Sequence, residues 1–424
     1  MHPLSHALFH SRSAFRTTAA RAILLAALWL LASAAALAQG TTVAIGGALK
    51  DNNHAIWQRL VDLAGGPGAR FAVFATASGE PDRTAESIIK VLKQHGAVAE
   101  HIRVGPRFPG QDLAQAVQDP QWLDKVRGSK AVFFSGGAQS RLIDTLKPGG
   151  RDTPLLQAVR AVWAAGGVVA GTSSGAAVLA DVIFRDAPDV LAVMKGQLRE
   201  GQEVDRGFGF FPPQVAVDQH FIRRGRIGRL LPLMQTRALP LGIGVEENSA
   251  VVLRGDEIEA IGEHGALVAD LSQARNDPQL GAFNLRGARL HWLASGDSFN
   301  LATRVATPSA VKKAATRLDP AATNFRGYHS GPAFYADILT EGLIVKAMAR
   351  LVDGDQTELR GLSFAARPTQ DDPAPDIGFE WRLHRGPGTL AWWLPGSDNY
   401  TVVGVMLDIV PVRLSRPLYQ PLQR

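Results

Sequence analysis

The sequence predicts an α/β fold in which helices flank a doubly wound, mostly parallel sheet, with a smaller β-rich C-terminal region added. From residue 40 to about 271, short apolar runs alternate with stretches of helical spacing, as expected for parallel strands joined by crossover helices. Later segments alternate apolar and polar residues, which is typical of antiparallel strands. A length of 424 residues suits one large or two ordinary domains.

The first half of the chain contains four predicted buried strands. Each is short, rich in β-branched or aromatic residues, and bounded by glycine or small polar residues. These strands cover residues 42–45, 71–75, 131–135 and 168–172. The intervening segments with helical spacing are 54–63, 84–95, 138–146 and 155–164. Asp82 after Pro81, and Thr84 with Glu86, are N-terminal signals for the second helix.

The pattern changes after a strand at 215–218 and a helix at 223–234. Residues 250–254 and 257–261 form a predicted hairpin, because Gly255-Asp256 joins them. Beyond residue 275 the chain is irregular, with linker-like turns at 371–375 and further strands predicted at 390–394 and 400–412. We therefore divide the chain into an α/β domain over 39–299 and a β-rich extension over 300–424, whose role the sequence does not indicate.

The first 38 residues have the features of a signal peptide. Arg12, Arg16 and Arg21 precede an apolar run that ends in Ala36-Leu37-Ala38. The alternative is an uncleaved anchor, but about 17 Ala-rich residues are marginal for spanning a bilayer. We expect cleavage after Ala38, export to the periplasm or the medium, and no membrane association afterwards.

Charge and composition exclude several classes of protein. The formal charge of +6 falls to +3 without the three N-terminal arginines, and no basic stripe with interleaved aromatics occurs, so nucleic-acid binding is not expected. The absence of cysteine excludes disulfides, thiolate catalysis and cysteine-ligated metals. No Walker loop, dinucleotide fingerprint or His-Glu-x-x-His motif occurs either.

The strongest motif is Gly-x-Ser-x-Gly at residues 171–175, directly after a predicted buried strand. In a nucleophile elbow, the serine occupies a sharp strand-to-helix turn and the flanking glycines remove side chains that would clash. Ser173 would then face the carboxyl edge of the sheet, with helix N–H groups near a developing oxyanion. The alternative is a Gly/Ser-rich turn without chemistry, but the strand before and the helix after favour a nucleophile.

A serine hydroxyl needs a base, and His220 is the candidate. It ends the strand at 215–218 and begins a helix that contains several arginines, whereas the other histidines after residue 38 lie in helical, loop or hairpin contexts. Arg226 and Arg229 would share a helical face and could bind a substrate carboxylate; alternatively they pair with acids such as Glu246 or Glu247.

Gly136-Gly137 follows another predicted strand, and the Gly137 N–H could complete an oxyanion hole.

These motifs together resemble the cyanophycinases, members of the serine peptidase family that also contains dipeptidase E. Their fold is similar to that of class I glutamine amidotransferases. The resemblance covers residues 41–271, with weaker likeness through 294–297. The specific element is Asp-Gln-His-Phe at 218–221, followed by Arg224, Arg226 and Arg229. The motifs that carry the resemblance are Ile45-Gly46-Gly47, Gly136-Gly137-Ala138-Gln139, the elbow at 171–177, Asp218-Gln219-His220-Phe221 and residues 242–247.

The resemblance implies a role for each matching position. Ser173 would be the nucleophile and His220 the base, with an oxyanion hole formed by the backbone amides of Gly137 and Ser174. The positions matching the substrate pocket are Gln139, Asp218, Gln219, Arg224, Arg226, Arg229 and Glu247. The implied substrate is cyanophycin, a poly-aspartate with arginine on each side-chain carboxylate, which would be cleaved to β-Asp-Arg dipeptides. Such hydrolysis needs no cofactor or metal, and the family also implies a homodimer.

The sequence departs from the family pattern at two positions. Ser174 stands where alanine is usual, although its backbone N–H remains. The family places the acidic triad member in the loop after the elbow helix, often as glutamate. That loop here offers Asp189, which we choose, or Asp186. Two other functions stay open: an aspartyl or isoaspartyl dipeptidase of the dipeptidase E type, and a noncatalytic carbohydrate- or peptide-binding protein on the same fold.

Overall fold

The computed structural model describes residues 40–187, 189–395 and 399–422. The predicted signal peptide lies outside these residues. Within them, no helix has both the length and the apolar character required to cross a bilayer.

The described chain contains short strands throughout and helices mainly in its first half. The strands are β1 Thr41–Ile45, β2 Arg70–Phe74, β3 Val98–His101, β4 Ala131–Phe134, β5 Val168–Thr172, β6 Val182–Phe184, β7 Val204–Arg206, β8 Val215–Gln219, β9 Leu241–Val245, β10 Ser249–Arg254, β11 Glu257–Gly262, β12 Gly265–Asp270, β13 Leu285–Ala294, β14 Ser298–Asn300, β15 Val305–Thr307, β16 Thr316–Leu318, β17 Phe334–Tyr335, β18 Glu358–Ser363, β19 Ile377–His384, β20 Leu390–Trp393 and β21 Tyr400–Arg413. The helices are α1 His54–Leu63, α2 Pro81–Gln94, α3 Leu113–Ala116, α4 Pro120–Arg127, α5 Gln139–Leu146, α6 Pro154–Ala164, α7 Ser174–Ala177, α8 Val190–Met194, α9 Ile227–Thr236, α10 Ala310–Lys313 and α11 Leu343–Val352.

The first sheet has nine strands among the described residues, in the order β15-β14-β11-β10-β1-β5-β4-β2-β3. The five strands from β1 to β3 along this order are parallel, and β10, β11, β14 and β15 extend the sheet with antiparallel pairing. Alternate residues of β1 face opposite layers: Val43 and Ile45 pack with α1 and α2, whereas Ala44 packs with α5 and α6. Helices therefore cover both faces, which confirms the predicted doubly wound sheet.

A second sheet runs in the order β17-β18-β19-β21-β13-β12-β9-β8, with β16 and β20 joined to it through β21. In this sheet β8 and β9 are parallel, while β21 pairs antiparallel with β13 on one side and β19 on the other. The C-terminal strands thus continue the sheet that carries β8, the strand preceding His220.

A buried polar cluster also ties the C-terminal strands to the first half. Asp297 Oδ2 lies 3.1 Å from the Lys312 ammonium, which in turn lies 2.8 Å from Thr401 Oγ1 in β21. Asp297 and Thr401 are fully buried, and Lys312 is nearly so. Because removing one partner from a buried ion pair is costly, residues 300–424 are structurally coupled to the rest.

The predicted elements of the first half occur with small differences at their ends. The helix expected at 84–95 begins at Pro81, because proline suits the first helical position, and the helix expected at 223–234 is Ile227–Thr236. The hairpin is confirmed as β10 and β11, and the predicted C-terminal strands as β20 and β21.

Candidate active site

Ser173 lies at a sharp turn between β5 and α7, with φ of 54° and ψ of −119°. A non-glycine residue at positive φ is strained and persists only where the surroundings fix it. The flanking glycines make this possible. A Cβ at Gly171 would lie 2.1 Å from Gly175 O, and one at Gly175 would lie 2.2 Å from Phe134 O. The local geometry is therefore that of a nucleophile elbow.

The last residue of β1 and the two residues after it hold the three segments of the candidate site through consecutive carbonyl groups. Ile45 O accepts from the backbone N–H of Ser173 at 3.0 Å, and Gly46 O accepts from that of His220 at 2.7 Å. Gly47 O accepts from the N–H of Asn248 at 2.8 Å, directly after Glu247. One short segment of backbone thus fixes the relative positions of a serine, a histidine and a glutamate from three separate parts of the chain.

The three side chains form a hydrogen-bonded series. Glu247 Oε1 lies 2.6 Å from His220 Nδ1, and His220 Nε2 lies 2.8 Å from Ser173 Oγ. An ionised carboxylate can only accept, so Nδ1 carries the proton and donates to Glu247. In a neutral imidazole Nε2 is then an acceptor, and the serine hydroxyl donates to it. This arrangement can remove the hydroxyl proton from Ser173.

Two adjacent carboxylates hold His220 in place by different contacts. Glu247 hydrogen-bonds to the imidazole, while Glu246 Oε2 accepts from the backbone N–H groups of Ile222 and Arg223. Glu246 is buried, so these charge-assisted bonds fix the turn that follows the histidine. His220 itself has φ of 47°, a strained value that this turn and Gly46 maintain.

The pKa of His220 lies below its ordinary value of 6.5, chiefly because burial disfavours the imidazolium. The hydrogen bond to Glu247 opposes this effect, whereas the positive charges of Arg224 and Arg226 reinforce it. His220 is therefore neutral at pH 7, the form that can accept a proton.

The structure corrects the expectation that Asp189 orients His220, because the imidazole contacts Glu247 instead. Asp189 is exposed and caps α8, with its Oδ1 accepting from Ala192 N at 3.0 Å. The alternative, Asp186, is exposed as well. The carboxylate on His220 belongs to Glu247, which was expected among the substrate-pocket residues. Asp189 lies just before an apolar run, the usual position of a helix N-cap, and that signal could have identified its role.

The arginines expected in the substrate pocket divide into two groups. Asp218 is buried and accepts from Arg229 at 2.6 and 2.7 Å, and Arg226 donates to Gln219 O at 2.7 Å. Burial alone would raise the pKa of Asp218, but the two cations outweigh it and keep the pKa below its ordinary value. Among Arg224, Arg226 and Arg229, only Arg224 is exposed. Arg226 and Arg229 therefore stabilise the end of β8, and their partner is Asp218 rather than Glu246 or Glu247.

The expected oxyanion-hole residues are linked to each other by side-chain contacts. Ser174 Oγ lies 2.6 Å from Gly137 O and 2.9 Å from Gln139 Oε1, and Gln139 Nε2 donates to Phe184 O at 2.9 Å. The hydroxyl that distinguishes Ser174 from alanine thus joins the elbow helix to the Gly137 loop. Gln219 is buried beside His220, and its Oε1 has no partner among the described residues.

A cavity of about 440 Å³ opens over Ser173 and Gly136. Its wall includes three charged residues that no sequence motif indicated: Asp51, Glu80 and Arg83. Glu80 and Arg83 lie at the start of α2 and form an exposed ion pair at 3.1 Å. Pro81 and Asp82 were recognised as helix signals, but nothing in their spacing indicates that this helix begins beside the serine.

The chain is similar to known proteins over part of its length. Residues 42–261, just over half of the chain, match the family model of Peptidase family S51. A cyanophycinase of Geminocystis herdmanii (strain PCC 6308) is 32% identical over 277 residues, covering 62% of this chain and 95% of that protein. A cyanophycinase of Synechococcus elongatus is 30% identical, covering 62% of this chain and 80% of that protein. The crystal structure of a peptidase from an acI-B1 Actinobacterium is 22% identical, covering 62% of this chain and 97% of that one at a TM-score of 0.46.

Proposed function

Because this chain belongs to peptidase family S51 and is a serine-type peptidase, we propose that it hydrolyses cyanophycin to β-Asp-Arg dipeptides. The observation that carries the proposal is the series Ser173 Oγ, His220 Nε2, His220 Nδ1 and Glu247 Oε1, with contacts of 2.8 and 2.6 Å, beside a cavity that reaches the serine. The relatives called cyanophycinases supply the substrate class.

The reaction begins when Ser173 Oγ attacks the carbonyl of an aspartyl peptide bond while His220 Nε2 takes the hydroxyl proton. The oxyanion of the tetrahedral intermediate accepts hydrogen bonds from the backbone amides of Gly137 and Ser174. The C–N bond then breaks, and His220 gives its proton to the leaving amine. Water, deprotonated by His220, releases the acyl group from Ser173 and regenerates the free enzyme.

The charges near Ser173 suit a substrate that carries both signs. Each repeat of cyanophycin has a guanidinium group and a carboxylate, and the cavity offers Asp51 and Glu80 for the first and Arg83 for the second. Arg224 is exposed close enough to His220 to lower the pKa of the imidazole, so it offers a second cation for a carboxylate. Arg226 and Arg229 act indirectly, by holding Asp218 and the end of β8.

The substrate is tested by comparing cyanophycin with α-linked Asp-Leu, using mass spectrometry of the products. The proposal predicts β-Asp-Arg from the polymer and little cleavage of Asp-Leu. Preferential cleavage of Asp-Leu would identify a dipeptidase of the dipeptidase E type instead. Absence of products from both substrates, with no labelling of Ser173 by a phosphonate probe, would favour a noncatalytic binding protein.

The same proposal places the enzyme outside the cytoplasm. Its support is the sequence before residue 39, where a basic segment and an apolar run precede Ala36-Leu37-Ala38. N-terminal sequencing of protein recovered from the periplasm or medium should begin at Gln39. Protein found only in the cytoplasm and still beginning at Met1 would contradict export.

A further inference from the structure

A long depression crosses the C-terminal region and ends at the candidate triad. It consists of two adjoining cavities of about 1100 and 800 Å³, which share Trp292, Val345 and Lys346 in their walls. The smaller one, here called the acidic cavity, also includes Glu247. Only the imidazole of His220 separates the Glu247 carboxylate from Ser173 Oγ. The depression therefore leads from residues beyond 300 to the edge of the proposed catalytic site.

The larger cavity, here called the aromatic cavity, has an unusual lining. It contains three of the protein's four tyrosines and two of its eight tryptophans: Trp292, Tyr328, Tyr335, Trp393 and Tyr400. The largest fully buried side chains, by contrast, are mostly phenylalanines. Tyrosine and tryptophan are favoured where one part of the ring is apolar and another is wet. Their faces also bind guanidinium groups by stacking and cation–π attraction.

Positive charge is in excess around these rings. Arg326, Lys346 and Arg350 belong to the wall of the aromatic cavity, and none forms an ion pair within the part of the chain that the structure describes. The carboxylate in this wall is Asp353, which is buried and already accepts from Tyr328 N and Tyr400 OH. Arg350 donates to Ser330 O and Gly331 O, and Arg326 donates to Phe325 O, but none of the three cations has a carboxylate partner among the described residues, so each can pair with a carboxylate of a ligand.

The acidic cavity carries the opposite charge. Glu263 and Glu341 belong to its wall and pair with Lys50 at 3.0 Å and with Arg223. All four side chains are about half exposed, and exposed pairs of this kind contribute little stability. A guanidinium from a ligand could therefore replace either cation at small cost. The depression thus offers sites of both signs along its length.

We propose that this depression binds the part of a polymeric substrate that lies beyond the unit being cleaved, as an extended chain that bears both guanidinium and carboxylate groups. Guanidinium groups bind at the aromatic faces and at Glu263 and Glu341, while carboxylates bind at Lys346, Arg326 and Arg350. Each cavity alone is as large as a typical site for a drug-sized ligand, so the two accommodate several residues. The inference rests on the proposed function for the identity of the polymer.

The test uses point variants of the full chain, because β21 and the buried Asp297–Lys312 pair make the C-terminal region inseparable from the rest. Tyr328→Ala and Lys346→Glu change exposed side chains in the depression, so both variants should fold. Tyr419→Ala and Lys90→Glu are matched controls, since Tyr328 and Tyr419 are 83% and 79% exposed and both lysines lie exposed on helices. Thermal melts verify that these four variants and the double variant Tyr328→Ala/Lys346→Glu are folded.

Initial rates are measured on long cyanophycin and on a substrate of two β-Asp-Arg units. For the double variant Tyr328→Ala/Lys346→Glu, KM for the polymer should rise about tenfold or more, since cation–π and charge contacts are lost. The change on the two-unit substrate should be much smaller, and the controls should match the wild type on both. Equal KM values for the polymer in the double variant and the controls would overturn the inference while leaving the proposed function intact.

A binding assay separates this inference from catalysis. Ser173→Ala protein is sedimented with insoluble cyanophycin, with and without the two depression substitutions. If Ser173→Ala protein sediments with the polymer and no longer does so once Tyr328→Ala and Lys346→Glu are added, the depression is supported as a polymer site. This result would hold even if the wild type releases no dipeptide. Retention unaffected by them would overturn it. Binding of a neutral polysaccharide that depends on Tyr328 but not on Lys346 or on salt would also overturn it.

Discussion

His220 Nδ1 lies 2.6 Å from the carboxylate of Glu247, a residue 27 positions later in the chain and two residues beyond the end of β9. This contact fixes the imidazole tautomer and leaves Nε2 to accept from Ser173. Replacing Glu247 with glutamine should lower kcat by about 10⁴-fold, as expected when the orienting acid of a triad is lost. Steady-state kinetics of purified Glu247→Gln protein measure the effect.

Asp189→Ala is the matched control for that substitution. It should leave kcat nearly unchanged and lower the free energy of unfolding by about 1 kcal/mol, because only a helix N-cap is removed. A large kcat defect in Asp189→Ala, with an unaffected Glu247→Gln, would restore the original sequence-based assignment.

The pH dependence of kcat/KM reports the His220 pKa. Since burial lowers this pKa below 6.5, activity should persist below pH 6.5 and decline only as the imidazole becomes protonated. Arg224→Gln removes a charge that lowers the pKa, so the decline should shift to higher pH. Glu247→Gln removes a group that raises the His220 pKa, so the residual activity of this variant should decline at a lower pH than that of the wild type. Shifts in the same direction for both variants would contradict the arrangement.

Gly47 lies against the imidazole, and a Cβ there would be 2.3 Å from His220 Nε2. Gly47→Ala should therefore displace the ring and reduce kcat by about 100-fold, as expected for misplacement of about 1 Å. Gly65→Ala is the control, because Gly65 has a similar φ of +109° against +101° but no atom near its Cβ position. Gly65→Ala should lose stability only through its positive φ and keep full activity, whereas equal activity in the two variants would show that Gly47 does not position His220.

The buried Asp218 carboxylate should be essential for stability. Asp218→Asn leaves the buried guanidinium groups of Arg226 and Arg229 without compensation, so we expect a loss of about 3–5 kcal/mol in the free energy of unfolding. Asp124→Asn breaks an exposed pair with Arg127 and should have no measurable effect. Urea denaturation provides both values; similar stability of the two variants would mean that the Asp218 pairs contribute no more than a surface contact.

Much of the fold could be predicted from the sequence because local patterns determine it. The apolar runs of β1, β2, β4 and β5 are buried on both faces of the sheet, and the Gly255-Asp256 turn specifies its hairpin. The strand continuity between β13 and β21 could not be predicted, since it depends on pairing across more than 100 residues. A local residue pattern predicts that a segment forms a strand, but it does not specify which distant strand that segment pairs with.

In the candidate site, too, local patterns could be predicted from the sequence and long-range contacts could not. Ser173 and His220 each follow a predicted strand, but β5 belongs to the first sheet and β8 to the second. The backbone carbonyls of Ile45 and Gly46, which accept from Ser173 N and His220 N, bring the two strand ends together, and the strand patterns did not predict this contact. The acid that contacts His220 was misassigned because the family pattern places it in the loop after the elbow helix. The carboxylate in contact is that of Glu247, which precedes Asn248, and Asn248 N donates to Gly47 O. Arg226 and Arg229 suggested a binding face, but their partner Asp218 is buried, and burial of an ion pair is not visible in charge spacing.

The most direct test of the account is the initial rate of β-Asp-Arg release from cyanophycin by the wild type and by Ser173→Ala, with Ser174→Ala as the neighbouring control. Ser173→Ala should be slower by about 10⁶-fold, because the proposed nucleophile is gone. Ser174→Ala keeps its backbone N–H and should lose less than about tenfold, the value of one neutral hydrogen bond. Ser173→Ala protein that releases the dipeptide at the wild-type rate would contradict the account.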